Sequence, residues 1–438
     1  MQEYRETEYW QGGIVEILHV TTSDGAAGAG RAAQRLHRGL RRLGYDSSMF
    51  VAKRHSDDPA VMAFEPPTSL SSRVVRYLRR LGMARSLTRF FWSGRSSNTT
   101  AFTDDRVEYK GTVTSQLPSC DVINLHWIAR FVDYGCFFTQ VSQSIPIVWT
   151  LHDMNPFTGG CHHTAGCEGY LDGCGNCPQL GSSTRNDASH RIWHRKRKSF
   201  DKLGTEQLQV VAPSQWLADK AAHSTLLGRF SVTRIPYGLD TDVFAPRDRH
   251  LAREVLNISR DAKVVLFAAH SLHNRHKGFP LLIQALSGLR GLPNLLLLSL
   301  GRGGSRVEVH VPHVHLGHLN NDSMLSLVYS AADLLVIPSL QEAMGQTGLE
   351  SMSCGVPVVG SAVGGIPDMI RPGVTGLLAP PGDADALGGA IRRLLQNPVE
   401  RAEMGANCRR IALEEYAIEA QARRHVTLYE RVRKPCQQ

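Results

Sequence analysis

Asp333-Leu-Leu-Val-Ile-Pro-Ser339-Leu-Gln-Glu342-Ala-Met-Gly345-Gln-Thr-Gly348-Leu-Glu350 compresses a strand, a turn and a helix start into one short passage. The run 334–337 is apolar and rich in β-formers. A glycine-bearing turn follows, and two glutamates with seven residues between them bracket the start of the next helix. The first backbone N–H groups of a helix have no partner inside it, so such a turn can face a diphosphate. A carboxylate accepts hydrogen bonds only, so Glu342 and Glu350 suit pairs of hydroxyls, one pair on a sugar ring and one on a ribose. The layout can hold a sugar nucleotide.

Working outward, apolar segments at 14–20, 47–52, 121–125, 146–151 and 209–212 alternate with helical patterns. A second series follows at 264–267, 295–300, 333–337, 356–359 and 376–378. Continuous apolar runs, without apolar–polar alternation, mark strands buried on both faces of a parallel sheet. The fold class expected is α/β, with two Rossmann-like doubly wound domains facing across a cleft. The Gly/Asp/Pro-bearing stretch 237–249 marks the boundary. The expected division is 1–240 for the first domain, 241–400 for the second, and 401–438 for a helical segment that packs back on the first.

A chain of 438 residues exceeds one ordinary core, in keeping with two domains. Its net charge of +9 favours an anionic ligand, an anionic membrane surface or nucleic acid without choosing among them. Residues 1–6 have no basic region leading into an apolar one, so no signal peptide is expected, and no apolar run reaches membrane-span length. The expectation is a cytoplasmic protein, soluble or peripheral on the inner face of the cell membrane.

Two further turns join the glutamate pair. Gly364-Gly-Ile-Pro-Asp368 follows the strand 356–359. His276-Lys277-Gly278-Phe279-Pro280 follows 264–267 and opens a helix, where a lysine is a compact counter-charge to phosphate. Singly, each is an ordinary loop or a helix-start acid. Together, at the carboxyl ends of neighbouring parallel strands, they define a ligand site.

These residues resemble the GT4 family of retaining, GT-B-fold glycosyltransferases. The likeness rests on Glu342-x7-Glu350, Cys354-Gly-Val-Pro-Val-Val-Gly-Ser361, Gly364-Gly365, Val374-Thr-Gly-Leu-Leu378 and Lys277-Gly278, with Ile235-Pro-Tyr-Gly-Leu-Asp240 as the interdomain segment and Ala212-Pro-Ser214 as the donor-side serine strand. The resemblance implies that Glu342 contacts hydroxyls of the transferred sugar, Glu350 holds the ribose and Lys277 neutralises the leaving diphosphate. Met344, Gly345, Gln346, Thr347, Gly364 and Gly365 would line the sugar and phosphates. Two positions depart from the family. An arginine five or six residues before the lysine is replaced by Leu272 or Ser271, with Arg275 as the candidate substitute. Tyr237 stands where asparagine is usual, which touches local hinge geometry.

The first domain should supply the acceptor side. Its turn Ser23-Asp-Gly25-Ala-Ala-Gly28-Ala-Gly30-Arg31 lacks the dinucleotide-binding glycine order. By the resemblance, Gly28 closes over the diphosphate and His152, at the end of 146–151, reaches the donor sugar and reaction centre. Asp153, His126 and Trp127 are cleft-facing acceptor-side candidates. The chemistry implied is front-face substitution: Lys277, fixed amides and a helix N-terminus stabilise the leaving diphosphate, whose oxygen takes the acceptor proton. Glu342 positions the sugar. No paired-Asp motif for a catalytic metal is present, and no cofactor is expected for catalysis.

Four of the nine cysteines crowd into a long loop as Cys161, Cys167, Cys174 and Cys177. The closing C-x2-C fits a structural zinc site, with His162 or His163 as substitute ligands; packed thiols and two disulfides stay open. The loop motif His152-Asp-Met-Asn-Pro-Phe-Thr-Gly-Gly-Cys161-His resembles a polysaccharide-assembly subgroup of the family. Residues 71–92 form a basic helical pattern, read either as a solvated face or as a helix lying on anionic lipid; no recognition module supports nucleic acid. The function expected is transfer of a sugar from a UDP- or GDP-sugar to a lipid-linked or growing saccharide of a cell-surface polysaccharide. The rivals are transfer to a small secondary metabolite and a non-catalytic sugar-nucleotide or zinc-dependent binding protein.

Overall fold

The computed structural model of the chain describes residues 15–25, 28–91, 101–303 and 310–433, with backbone alone at 84–91. Residues 1–6, Ala26, Ala27, Trp92 and residues 434–438, on which some of the sequence expectations fall, lie outside the described residues. The first sheet comprises β1 (Glu16–Ser23), β2 (Asp46–Lys53), β3 (Val61–Ala63), β4 (Val122–Leu125), β5 (Ile147–Thr150), β6 (Leu208–Ala212) and β7 (Ser231–Arg234). The second comprises β8 (Lys263–Ser271), β9 (Leu295–Arg302), β10 (His313–His315), β11 (Leu334–Ile337), β12 (Val358–Ser361) and β13 (Gly376–Ala379). The orders are β3-β2-β1-β4-β5-β6-β7 and β10-β9-β8-β11-β12-β13, with every pair parallel.

Both sheets are doubly wound α/β layers, the GT-B architecture. Strands β4, β5, β11 and β12 are buried at every residue, which is why they read as unbroken apolar runs. Strands β3, β7 and β10 have no such run, and the sequence expectation omits them. They lie at sheet edges, where one side faces no strand and short, polar segments such as Ser-Val-Thr-Arg are tolerated.

The helices of the first half are α1 (Gly28–Arg42), α2 (Leu70–Phe91), α3 (Tyr134–Gln140), α4 (Ala188–Phe200) and α5 (Gln215–Ala222). Those of the second are α6 (Arg249–Val255), α7 (Phe279–Ser287), α8 (Asp322–Ala331), α9 (Gln346–Ser353), α10 (Ile366–Met369), α11 (Ala384–Gln396), α12 (Pro398–Glu415) and α13 (Ile418–Arg433). Helix α12 stays on the second domain against α9 and α11, whereas α13 crosses to α1. Ala422, Val426, Leu428 and Tyr429 share a core with Ile17, Leu36 and Val148. The crossover is pinned where the chain first changes domain: Leu239 N–H donates to Tyr416 O, and Ile418 N–H to Leu239 O, both at 2.9 Å. In each sheet the order reverses beside its first strand, β1/β4 and β8/β11, and these switch points face one another across the cleft.

Candidate active site

Two glycines decide how the loops of the second domain meet. Gly278 has φ +73°, and a Cβ there would lie 1.7 Å from the carbonyl oxygen of Pro338, so only glycine lets the lysine loop close on the exit of β11. Leu340 N–H then donates to His276 O at 2.8 Å. This brings Lys277 Nζ to 2.5 Å from Glu342 Oε2. Gly364 has φ +56°, and a Cβ would fall 1.9 Å from the Glu342 carbonyl; Gly365 N–H donates to that same oxygen at 3.0 Å. The Gly364-Gly365 pair therefore buttresses Glu342 from behind and is not among the residues lining the cleft. Arg275 likewise is not among them: it is the first residue of a short turn capped by Asn274, and its neighbours Asn274, His276 and Lys277 do line the cleft.

Met344, Gly345, Gln346 and Thr347 line the same cleft at the start of α9. One turn on, Glu350 is 4% exposed and has a partner on each oxygen. Arg35 Nη2 donates to its Oε1 at 2.6 Å and the Tyr329 hydroxyl to its Oε2 at 2.8 Å, with Arg31 3.7 Å away. Burial alone would raise the Glu350 carboxyl, but Arg35 and Arg31 outweigh it and hold its pKa below the usual range. Arg35 also donates to Gln346 Oε1 at 3.3 Å, and Gln346 Nε2 donates to Gly28 O at 2.7 Å. Gly28 thus meets the opposite domain at the helix start. Arg35 and Tyr329 belong to none of the motifs, and Arg31 merely closes the glycine-rich turn of the first domain. Their one sequence signal is that Arg31 and Arg35 stand four apart, which puts both on one helix face.

The cleft has a volume of about 1440 Å³. Its first-domain wall carries Trp127, His152 and Asp153; His126 stands behind His152 and does not line it. Asp153 accepts from Trp127 Nε1 at 2.8 Å and lies 2.6 Å from His162 Nδ1. Burial pushes this carboxyl up, yet the His162 contact prevails and takes it down to about 2. His162 Nε2 lies 3.0 Å from Thr103 Oγ1, so His162 is tied into this network on both ring nitrogens. Tyr237 does more than shape a hinge. It lines the cleft, and its hydroxyl lies 2.8 Å from His152 Nδ1.

Cys161, Cys167, Cys174 and Cys177 are unpaired, so no disulfide staples the loop. All four line one small cavity of about 20 Å³. Among the described residues, no group of three or more His, Cys, Asp or Glu side chains stands arranged as a metal shell. Helix α2 turns the opposite way from a solvated polar face. Val74, Tyr77 and Leu78 are 50%, 63% and 60% exposed, while Arg76 and Arg79 are half-buried, with Arg76 over the Tyr109 ring. Arg80 and Met83 reach the cleft. No helix among the described residues is long and apolar enough to cross a membrane.

Residues 248–411 match the family model described as "Glycosyl transferases group 1". The chain is 34% identical over 227 residues to a D-inositol 3-phosphate glycosyltransferase of Kribbella flavida, covering 46% of this chain and 53% of that protein. It is 28% identical over 259 residues to a lipopolysaccharide 1,2-N-acetylglucosaminetransferase of Salmonella typhimurium, covering 55% and 66%. The chain thus spans about half to two thirds of the length of these curated relatives. Among solved structures, sucrose-phosphate synthase from Thermosynechococcus elongatus superposes with a TM-score of 0.63 at 19% identity, covering 95% of this chain and 99% of that one. Anabaena Alr3699/HepE in complex with UDP-glucose superposes with a TM-score of 0.61 at 16% identity, covering 95% and 100%. These two likenesses establish the shared fold.

Proposed function

We propose that the glycosyl transferases group 1 domain carried by this chain binds a nucleotide sugar and, with the first domain, transfers its sugar with retention of anomeric configuration. The observation that carries the reading is the Lys277–Glu342 pair at 2.5 Å, set at one switch point and facing Gly28 and His152 at the other. Lys277 offsets charge growing on the leaving diphosphate, aided by the start of α9. Glu342, steadied by Lys277 and the glycine turn behind it, accepts from hydroxyls of the sugar. Glu350 retains one lone pair on each oxygen after Arg35 and Tyr329 are served, enough for the two ribose hydroxyls. His152 and Tyr237 face the sugar, and Trp127 and Asp153 form the acceptor wall. The departing phosphate oxygen takes the acceptor proton, so no protein nucleophile is called on.

The donor class is a UDP- or GDP-sugar, and HepE, with UDP-glucose in its complex, supports that choice. The acceptor is a lipid-linked or growing saccharide of a cell-surface polysaccharide. The apolar face of α2, exposed beside the acceptor side of the cleft, supports delivery from an anionic membrane surface. Incubation with a panel of UDP-, GDP- and dTDP-sugars tests the core reading. Release of nucleoside diphosphate from one of them, faster with saccharide acceptors, is the expected result; neither hydrolysis nor transfer from any of them refutes it.

A structural zinc in the cysteine loop is the second part of the proposal. The four sulfurs share one cavity, and Gly159 and Gly169 N–H groups donate to Cys174 and Cys167 sulfurs at 3.2 and 3.4 Å, as they would to thiolates. The buried Lys196 ammonium of α4, 2.5 Å from Asn155 O, is a fixed countercharge against the same loop. Zinc there would brace the acceptor wall and take no part in transfer. Metal analysis expects one zinc per chain; far less than one refutes it.

A further inference from the structure

Three histidines and a tyrosine stand in single file through the first domain. His19 Nδ1 lies 3.0 Å from His126 Nε2, His126 Nδ1 lies 3.0 Å from His152 Nε2, and His152 Nδ1 lies 2.8 Å from the Tyr237 hydroxyl. The parallel sheet builds the file. His19 sits in β1, His126 follows β4 and His152 follows β5, three neighbouring strands. His152 stacks on Tyr237 with ring centroids 5.5 Å apart. We propose that this column fixes the Tyr237 hydroxyl as a hydrogen-bond donor into the cleft, where it binds a hydroxyl oxygen of the transferred sugar, and that His19 and His126 are positioning residues for it. The sugar contact rests on the glycosyl-transfer reading; the direction of the column does not.

A neutral imidazole has one N–H and one bare nitrogen. Each joint needs one of each, so a choice at any ring propagates through all of them, and the column has two directions only. Burial disfavours a charged ring anywhere in it: His19 and His126 are held well below the usual histidine range, and His152 is taken down to about 4. In the inward direction Tyr237 donates to His152 and the file ends on an N–H at His19 Nε2. In the outward direction every ring carries its proton on Nδ1, Tyr237 accepts from His152, and the phenolic proton turns to the cleft.

Both ends choose the outward direction. His19 Nε2 is buried and has no partner. An orphaned buried N–H is rarer than an under-used acceptor, so the bare nitrogen belongs there. At the other end, the charges facing Tyr237 are Glu342 and Asp153; with burial they keep the phenol protonated. Carboxylates favour an O–H pointing toward them over a lone pair. A sugar hydroxyl that gives its proton to Glu342 then has its oxygen free to accept from Tyr237. The column therefore selects donors with a hydroxyl at that ring position.

The direction is tested on the ligand-free protein by ¹⁵N NMR of the histidine side chains. The Nδ1–H tautomer at His19, His126 and His152 is expected; the Nε2–H tautomer at them overturns the proposal whether or not the protein transfers sugar. The sugar contact is tested by Tyr237→Phe, which should lower kcat/KM for the donor about tenfold, the value of one hydrogen bond, in a variant whose fold circular dichroism shows to be retained. Against one member of a monodeoxy donor panel the Phe variant should match the wild type; equal loss across the panel overturns the contact. His126→Leu should cost a similar factor, His126→Asn should restore it by donating from its amide, and His126→Leu should cost nothing more in the Tyr237→Phe background. Additive losses there mark His126 as merely structural and overturn its positioning role. Absence of transfer by the wild type from every donor would count against the glycosyl-transfer reading and leave the tautomer result standing.

Discussion

Glu350→Gln isolates the ribose contact from everything around it. The carboxylate offers about four lone pairs; Arg35 and Tyr329 use two, at 2.6 and 2.8 Å. The other two are assigned to the ribose hydroxyls. Glutamine keeps the shape but has one oxygen and an NH2 group that must face either Arg35 or Tyr329, both donors to this site. One hydroxyl loses its acceptor, and the remaining bond falls from charge-assisted to neutral. With charge-assisted bonds worth about 1.5–3 kcal/mol and neutral ones about 1 kcal/mol, the net loss is about 2–3 kcal/mol. That is about a 30- to 150-fold weaker Kd for the nucleoside diphosphate. Titration calorimetry with UDP and GDP measures it, and two controls separate ribose from phosphate. Inorganic pyrophosphate should bind the Gln variant as it binds the wild type and should bind Lys277→Ala more weakly. A 2′-deoxy nucleotide should lose less from the Gln substitution than its ribose counterpart. A folded Gln variant whose Kd for the preferred nucleotide changes less than threefold would falsify the ribose assignment, as would equal losses for pyrophosphate.

Two further outcomes are expected. Replacing Val74, Tyr77 and Leu78, the exposed apolar residues of α2, together by serine should reduce flotation with anionic liposomes by about two orders of magnitude in partition, at about 1 kcal/mol or more per apolar side chain withdrawn from lipid; equal flotation refutes lipid docking by α2. Acid should destabilise the first domain between pH 6.5 and 4. His425 is fully buried and taken down to about 4, so between those values the unfolded chain binds the proton and the folded chain does not. Stability is complete above 6.5 and falls with decreasing pH, by about 3 kcal/mol for His425. His152, more open to the cleft, adds less. Urea midpoints at pH 7 and 4.5 check this; buried His19 and His126, also held below the usual range, add to the loss, so a His425→Gln variant should lose only its own share of the difference.

Local patterns made much of this fold legible. Buried parallel strands write themselves as apolar runs, and the glycine turns after β8, β11 and β12 locate the loops of the second domain. Lys277 and Glu342 were readable because each lies in the loop that follows its strand, within about six residues of its end. Gly364-Gly365 was found for its flexibility, but flexibility alone does not say whether a turn touches ligand or, as here, supports the carbonyl of Glu342. Arg35 lies far from Glu350 in sequence, and only the facing of the two switch points brings α1 against α9.

The histidine column shows the same boundary at its sharpest. His19 sits within an apolar run and looks like one polar residue tolerated by a buried strand, and the unbonded Nε2 agrees with that reading when taken alone. Its partner His126 lies 107 positions away. What joins them is strand order: β1, β4 and β5 are adjacent in space, so His19 in the middle of β1 stacks with the residues just beyond the carboxyl ends of β4 and β5. Tyr237 reaches that level from the interdomain segment, held by the bonds of Leu239 to Tyr416 and Ile418. The asparagine usual at that position in the family carries no hydroxyl, so replacing tyrosine removes the column's phenolic outlet and leaves His19 and His126 without a role in the cleft.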